Sequence, residues 1–273
     1  MEKQVLIAFM LTLFAGLSTG IGSAIAFFAK RTNTTFLSMA LGFSAGVMIY
    51  VSFVELLPSS IVSLTELHGT KLGTTYATIS FFCGVFLIML IDKFVPSYEN
   101  PHEMHSVEEM VEVEKTDENP TKNPKLLRVG MMTALVLAIH NFPEGMVTFL
   151  AGLKDVSLAI PIAIAIAIHN IPEGISVSVP VYYATGNRKK AFWLSFISGL
   201  AEPVGAIIGY AVLSSFLNED VFGIIFGAIA GIMVFISLDE LLPAAETYGK
   251  HHSAIYGLVL GMAVMAISLL LLI

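Results

Sequence analysis

The chain has 273 residues, of which 56% are hydrophobic and 13% charged, with a mean hydropathy of +0.82. A soluble domain carries about 25% charged residues, so half that share leaves too little polar surface to cover a body of this size in water. The formal net charge of −7 excludes the basic footprint of a nucleic-acid binder, and a single cysteine, Cys83, excludes a disulfide framework or a thiolate metal cluster.

Apolar runs near 20 residues recur along the chain, each long enough to cross a bilayer as a helix. The first, Gln4–Ala29, contains Ser23-Ala24-Ile25-Ala26, which resembles a signal cleavage site. Its apolar run is too long for a signal h-region, and it has a repeat partner further along, so it is read as a span. Spans two and three follow as Phe36–Leu57 and Thr75–Phe94. The stretch from Pro96 to Pro124 is polar. Eight acids (Glu99, Glu103, Glu108, Glu109, Glu112, Glu114, Asp117 and Glu118) face only Lys115 and Lys122, and four prolines with few aromatics predict a flexible acidic linker. Its His102 and His105 read as members of a solvated loop rather than as a metal trap. Spans four to eight are Leu126–Leu153, Val156–Tyr183, Ala191–Leu217, Val221–Leu242 and Ser253–Ile273. The expected fold is an all-α polytopic membrane protein of eight transmembrane helices, one transmembrane domain over 1–273 with the acidic loop 96–124 inside it.

Lysines and arginines set the orientation. The loops after spans one, three, five and seven hold Lys30, Arg31, Lys93, Lys115, Lys122, Lys125, Arg128, Arg188, Lys189, Lys190 and Lys250, which is 11 of the 14; the other side has Lys3, Lys71 and Lys154. The positive-inside rule then places both termini outside the cytoplasm of a cell (plasma or inner) membrane and the acidic loop inside.

The chain also repeats itself. Gly42–Pro58 recurs as Gly227–Pro243 at an offset of 185, with 9 of 17 positions identical. Span one aligns more weakly with span six, where Ala8-Phe9, Leu11, Gly16-Leu17 and Gly22 match Ala191-Phe192, Leu194, Gly199-Leu200 and Gly205. In the middle, Ala138-Ile-His-Asn-Phe-Pro-Glu-Gly145 recurs as Ala167-Ile-His-Asn-Ile-Pro-Glu-Gly174. On the expected topology the repeated spans run in opposite directions, so spans one to three and six to eight form an inverted repeat around the central pair four and five. Transporters are often built this way, with the substrate held where the repeats meet. The small-xxx-small pairs Gly16/Gly20, Gly42/Gly46, Gly205/Gly209 and Gly227/Gly231 suit close helix packing and leave room for a homodimer.

Chemistry concentrates in three spans. Span four carries His140, Asn141 and Glu144, span five carries His169, Asn170 and Glu173, and span six adds Glu202. An ionised carboxylate at a helix centre costs about 2.5–3.5 kcal/mol on insertion scales, and a divalent cation is the direct way to neutralise several at once. His140 and Glu144 lie one helical turn apart, and Asn141 neighbours the same Glu144. Span five repeats this, so facing the two helices makes two adjacent metal positions bridged by Glu144 and Glu173. Pro143 and Pro172 remove backbone donors, which frees the carbonyls of Ile139 and Ile168 and predicts a kink in each helix. Imidazole, carboxylate and amide oxygen together suit Zn(II), Fe(II), Mn(II) or Co(II), and suit Cu(I) poorly.

The paired His-Asn-x-Pro-Glu-Gly motifs on the fourth and fifth of eight spans resemble the Zrt/Irt-like (ZIP) metal transporters. With the Ser-Gly-Leu-Ala-Glu-Pro of span six and the short total length, the chain is similar to the bacterial ZupT branch of that family, over nearly its whole length. The resemblance implies a secondary transporter, with no resident cofactor, that takes zinc and other divalent cations (Fe, Mn, Co, Cd) into the cytoplasm. It implies a first metal position formed by Glu144, His169 and Glu173 with His140, and a second formed by Asn141, Glu144, Asn170, Glu173 and Glu202. The linker departs from relatives that carry long His-rich tracts there, which argues against a relay role.

Other residues divide between two readings. Glu55, Asp239 and Glu240, near the ends of spans two and seven, either attract cations at the two mouths of the path or are interfacial charges. Met48 and Met233 read as packing rather than thioether ligands, and His251 and His252 as an ordinary polar loop. The competing function is an intramembrane metalloenzyme, such as a zinc-dependent membrane protease. That would want three ligands, an open water position and a separate general-base Glu, often as HExxH. Here both histidines are followed by Asn and the ligands are doubled, so the chain is read as a transporter and not an enzyme. Its expected partners are divalent metal ions and the lipid bilayer.

Overall fold

The computed structural model describes residues 2–28, 34–94, 124–185, 187–213, 216, 218–248 and 251–272. Every regular element among them is helical: α1 Glu2–Phe28, α2 Thr34–Val51, α3 Leu57–Phe94, α4 Pro124–Lys154, α5 Val156–Thr185, α6 Arg188–Gly199, α7 Ala201–Leu213, α8 Glu219–Ile236, α9 Leu242–Tyr248 and α10 His251–Leu272. The acidic linker with His102 and His105 lies outside the described residues. Among the described residues, six stretches are long and apolar enough to cross a membrane: Lys3–Ala24, Ser38–Lys93, Val156–Ile175, Arg188–Leu213, Glu219–Thr247 and His252–Leu271.

The longest of these cannot be one rod. Its 56 residues would measure roughly 84 Å as a straight helix, against a hydrocarbon core of about 30 Å. It doubles back at Gly69, whose φ of 76° and ψ of 162° fall in a region open essentially to glycine alone. Beyond the turn the chain returns so closely that a Cβ on Gly73 would lie 2.4 Å from the Cα of Thr65. The expected end of span two at Leu57 is therefore too early: the helix runs on through exposed Glu66, Leu67 and His68 before it reverses.

Two local irregularities lie within the expected spans. Span six is one apolar stretch with a single irregular residue: α6 and α7 meet at Leu200, whose N–H reaches back only three residues, to Ile197 O at 3.1 Å. Pro203 explains this, because it has no N–H for the carbonyl of Gly199 and its ring crowds that carbonyl. Spans two and seven each widen into a π turn, at Ser52–Leu56 and Ser237–Leu241, so that Leu57 N–H bonds Ser52 O and Leu242 N–H bonds Ser237 O. Both π turns stand just before a proline, Pro58 and Pro243, and widening the helix there relieves the clash of the proline ring with the preceding turn. In each, a serine hydroxyl bonds the methionine carbonyl four residues back, Ser52 to Met48 and Ser237 to Met233, both at 2.7 Å. Met48 and Met233 are themselves buried in the core. By contrast, α4 and α5 remain helical through Pro143 and Pro172.

Caps fix the shorter connections. Asn187 Oδ1 accepts from Lys190 N–H at 3.1 Å to start α6, and Asn218 Oδ1 from Val221 N–H at 2.9 Å to start α8. Asp155 alone joins α4 to α5, its carboxylate accepting from Ser157 N–H at 2.8 Å.

The helices sort into two packed groups, α1 with α4–α7 and α2–α3 with α8–α10, joined mainly where α2 lies on α5. Polarity is arranged inside out. Leu270, Phe86 and Val212 are 71%, 63% and 62% exposed, whereas Glu144, Glu173 and Glu202 are 1%, 1% and 0% exposed. Water cannot stabilise that distribution and a hydrocarbon solvent can. The small-xxx-small glycines face helices of the same chain: Gly42 and Gly46 meet Ala254 and Leu258, Gly231 meets Phe81, and Gly205 meets Phe142. They therefore carry no argument for a homodimer.

Candidate metal centre

The repeat seen in the sequence reappears as paired contacts. A Cβ on Gly22 would lie 1.9 Å from Ile171 O, and one on Gly205 would lie 2.2 Å from Phe142 O. Likewise Gly174 abuts Thr19 O at 2.2 Å and Gly145 abuts Glu202 O at 2.0 Å. Gly22 and Gly205 are repeat mates, as are Gly145 and Gly174, so α5 sits on α1 as α4 sits on α7. The glycine that closes each His-Asn-x-Pro-Glu-Gly motif is thus structural, since it brings the next helix backbone into van der Waals contact beside the carboxylate.

Between these helices the ligand-bearing side chains converge. Glu144, His169 and Glu173, all buried, offer ligand atoms that lie within 4.8 Å of one another. His169 Nδ1 is 3.2 Å from Ala165 O, a group that only accepts, so this nitrogen carries the hydrogen. Nε2 then presents its lone pair to Glu144 Oε1 at 3.2 Å. Two electron-rich atoms hold that separation when a proton or a cation lies between them, and with Glu173 alongside, a divalent ion suits the set. Backbone neighbours steady the group: Thr148 Oγ1 donates to Glu144 O at 2.9 Å, and Ser44 Oγ of α2 to His169 O at 3.4 Å.

The two asparagines are held by their amide nitrogens. Asn170 Nδ2 donates to Ala15 O at 2.9 Å and to Glu202 Oε1, while Asn141 Nδ2 donates to Ser198 O at 3.2 Å. Ala15 and Ser198 are again repeat mates. Fixing the nitrogens turns the oxygens the other way, and neither Asn141 Oδ1 nor Asn170 Oδ1 has a hydrogen-bond partner although both are buried. A buried carbonyl left so costs about 1–3 kcal/mol, and a hard cation is a suitable occupant of that lone pair. Glu202 lies in the first turn of α7 and is fully buried.

The structure therefore assembles Glu144, His169 and Glu173 as one group, couples Asn170 to Glu202, and anchors Asn141 to α6. The side chain of His140 lies outside the described residues, as does that of His251. Glu55, Asp239 and Glu240 are half-buried at the two π turns, away from this group in sequence and helix. His252 is exposed and stacks on Tyr256 with ring centroids 6.0 Å apart. Sequence reasoning missed the backbone acceptors of Ala15 and Ser198, which no side-chain pattern marks. The glycines at 145 and 174 were in view as parts of a motif, but their role was not.

Known proteins resemble the chain over nearly its whole length. The family model described as ZIP Zinc transporter matches residues 3–269. The chain is similar to the zinc transporter ZupT of Streptococcus mutans, 60% identical over 271 residues that cover 99% of each chain. It is 61% identical over 276 residues to the zinc transporter ZupT of Clostridium perfringens, covering 98% of this chain and 97% of the relative. With the zinc transporter ZupT of Oceanobacillus iheyensis it shares 59% identity over 269 residues, 98% of this chain and 99% of the other.

Proposed function

The chain belongs to the ZIP zinc transporter family, and from that premise we propose that it carries Zn(II) across a membrane into the cytoplasm through the buried site on α4, α5 and α7. The protein is a transporter and not an enzyme. The observation that carries the site is the sealed group of Glu144, His169 and Glu173, with ligand atoms within 4.8 Å of one another. Such a group can replace the hydration shell of a divalent cation with one imidazole and two carboxylates, while Asn141, Asn170 and Glu202 supply further oxygens beside it. His140, one turn before Glu144, completes the proposed set.

The proposed architecture has eight spans, since Ser38–Lys93 makes two passes around Gly69 and α4 adds another. Both termini face away from the cytoplasm, and the acidic linker, part of the same single domain, lies inside. Spans one to three and six to eight then run in opposite directions, which supports alternating access: two half-structures of similar energy expose the same site first to one side and then to the other. The membrane is the cell membrane, with Fe(II), Mn(II), Co(II) and Cd(II) as further cargo. A homodimer would pair through lipid-facing surfaces other than the glycine faces used within the chain. The protease alternative has no support among the relatives, which are named zinc transporters.

The test is radioactive zinc uptake by the purified protein in liposomes. Glu144→Ala and Glu173→Ala should each reduce uptake to the level of empty liposomes. Absence of flux in the parent, or full flux in both variants, would overturn the proposal.

A further inference from the structure

The pairing of contacts between the two repeats fixes a mate for every residue around the site, and at one position the mates differ in kind. Span one maps onto span six at an offset of 183, and the central motifs map onto each other at an offset of 29. Under this mapping Glu202 corresponds to Thr19. The structure agrees, since Glu202 O abuts Gly145 as Thr19 O abuts Gly174, at 2.0 and 2.2 Å from the respective Cβ positions. Asn170 hydrogen-bonds Ala15 O and Glu202, and its mate Asn141 hydrogen-bonds Ser198 O. The mate of the Asn170–Glu202 pair is therefore Asn141 with Thr19.

That second pair is unfinished. Thr19 is 1% exposed and its Oγ1 has no hydrogen-bond partner, and the same holds for Asn141 Oδ1. Both residues touch the same short piece of backbone: Asn141 holds Ser198 O, and a Cβ on the adjacent Gly199 would lie 2.6 Å from Thr19 Oγ1. A hydroxyl and an amide oxygen, both sealed from water and both unsatisfied, are a place for a cation or for a water carried by one.

Resting on the transport reading above, we propose that Thr19 and Asn141 form an uncharged oxygen subsite for the transported divalent cation, opposite the anionic Asn170–Glu202 side. The substitution of a hydroxyl for the carboxylate makes the two halves unequal. A cation bound between Glu144 and Glu173 is held on one side by charge and on the other only by neutral oxygens, so one side favours retention and the other release. Neutral oxygens contribute more to an oxygen-seeking ion such as Mn(II) than to Zn(II), which gains more from imidazole.

The test uses the full chain in liposomes, with zinc uptake, manganese uptake and manganese competition against zinc. Thr19→Val keeps the shape and removes the hydroxyl; Thr19→Ala removes it and fits wherever threonine fits, which guards against a folding failure in the first variant. Both should lower manganese uptake and competition by about tenfold and zinc uptake by clearly less, while Thr19→Ser stays near the parent. Parent-like behaviour of Val and Ala with both metals would overturn the subsite. So would a loss in Ser equal to that in Val, which would mark a packing role, or a parent that takes no manganese. A parent that moves no zinc, or Glu144→Ala that moves it normally, would instead remove the transport reading itself.

Discussion

His169 shows how much one side chain decides. Its Nδ1 hydrogen is committed to Ala165 O at 3.2 Å, one helical turn back, and this orients Nε2 onto Glu144. The imidazole is the one nitrogen donor among the described members of the proposed site, and nitrogen favours zinc over manganese. His169→Ala should therefore lower zinc uptake by about tenfold or more and manganese uptake by less, in the same liposome assay. Equal losses would show that the residue supports the helices rather than choosing the metal. The grouping of Glu144, His169 and Glu173 was legible in advance, because two copies of one motif placed His, Asn and Glu at helical spacing inside apolar spans. What the spacing could not reveal was which way each asparagine amide turns. The carbonyls of Ala15 and Ser198, which belong to helices far away in the chain, hold the nitrogen ends.

At the scale of helices, two glycines do opposite kinds of work. Gly145 has ordinary helical geometry, but a Cβ there would come 2.0 Å from Glu202 O, so the residue sets the distance between α4 and α7. Gly69 has open space around it and a φ of 76°, so it sets the direction of the chain. Gly145→Ala forces two backbones apart, at a cost of about 1–3 kcal/mol, and moves Glu202 from its place. Gly69→Ala costs a similar amount, roughly 1–3 kcal/mol, through backbone strain alone. Both variants should lose protein to aggregation at lower temperature on heating in detergent, followed by size-exclusion recovery. Only Gly145→Ala should also lose zinc uptake per folded molecule; normal uptake in that variant would detach the helix spacing from the site. The apolar runs made the helices themselves readable, but not their interruptions. The π turns and the break at Leu200 arise from Pro58, Pro243 and Pro203 acting on the turn before them, and apolar length alone carries no record of that. The extension to His68 was missed for another reason: it lies beyond the apolar run, and its helix is held by the hydrogen bond between His68 Nε2 and Asp220 Oδ1 at 2.5 Å and by packing against α8.

For the whole molecule the open matter is which face meets the cytoplasm, and charge answers it only when counted correctly. On the proposed topology the inner side holds 11 lysines and arginines but also 12 acids, and the outer side 3 bases with 6 acids, leaving Glu144, Glu173 and Glu202 within the membrane. By net charge the two sides hardly differ. Orientation, however, follows lysine and arginine near the span ends, with Asp and Glu contributing little, so the acidic linker does not cancel the basic residues around it. Cysteine labelling decides between the two counts. With Cys83 changed to serine, Lys3→Cys should react with a membrane-impermeant maleimide in intact cells, whereas Lys189→Cys, on the exposed first turn of α6, should react only after permeabilisation. The opposite pattern would reverse every direction assigned here: the linker would face outward, and the same two-sided site would have its charged and neutral oxygen walls presented to the metal in the other order.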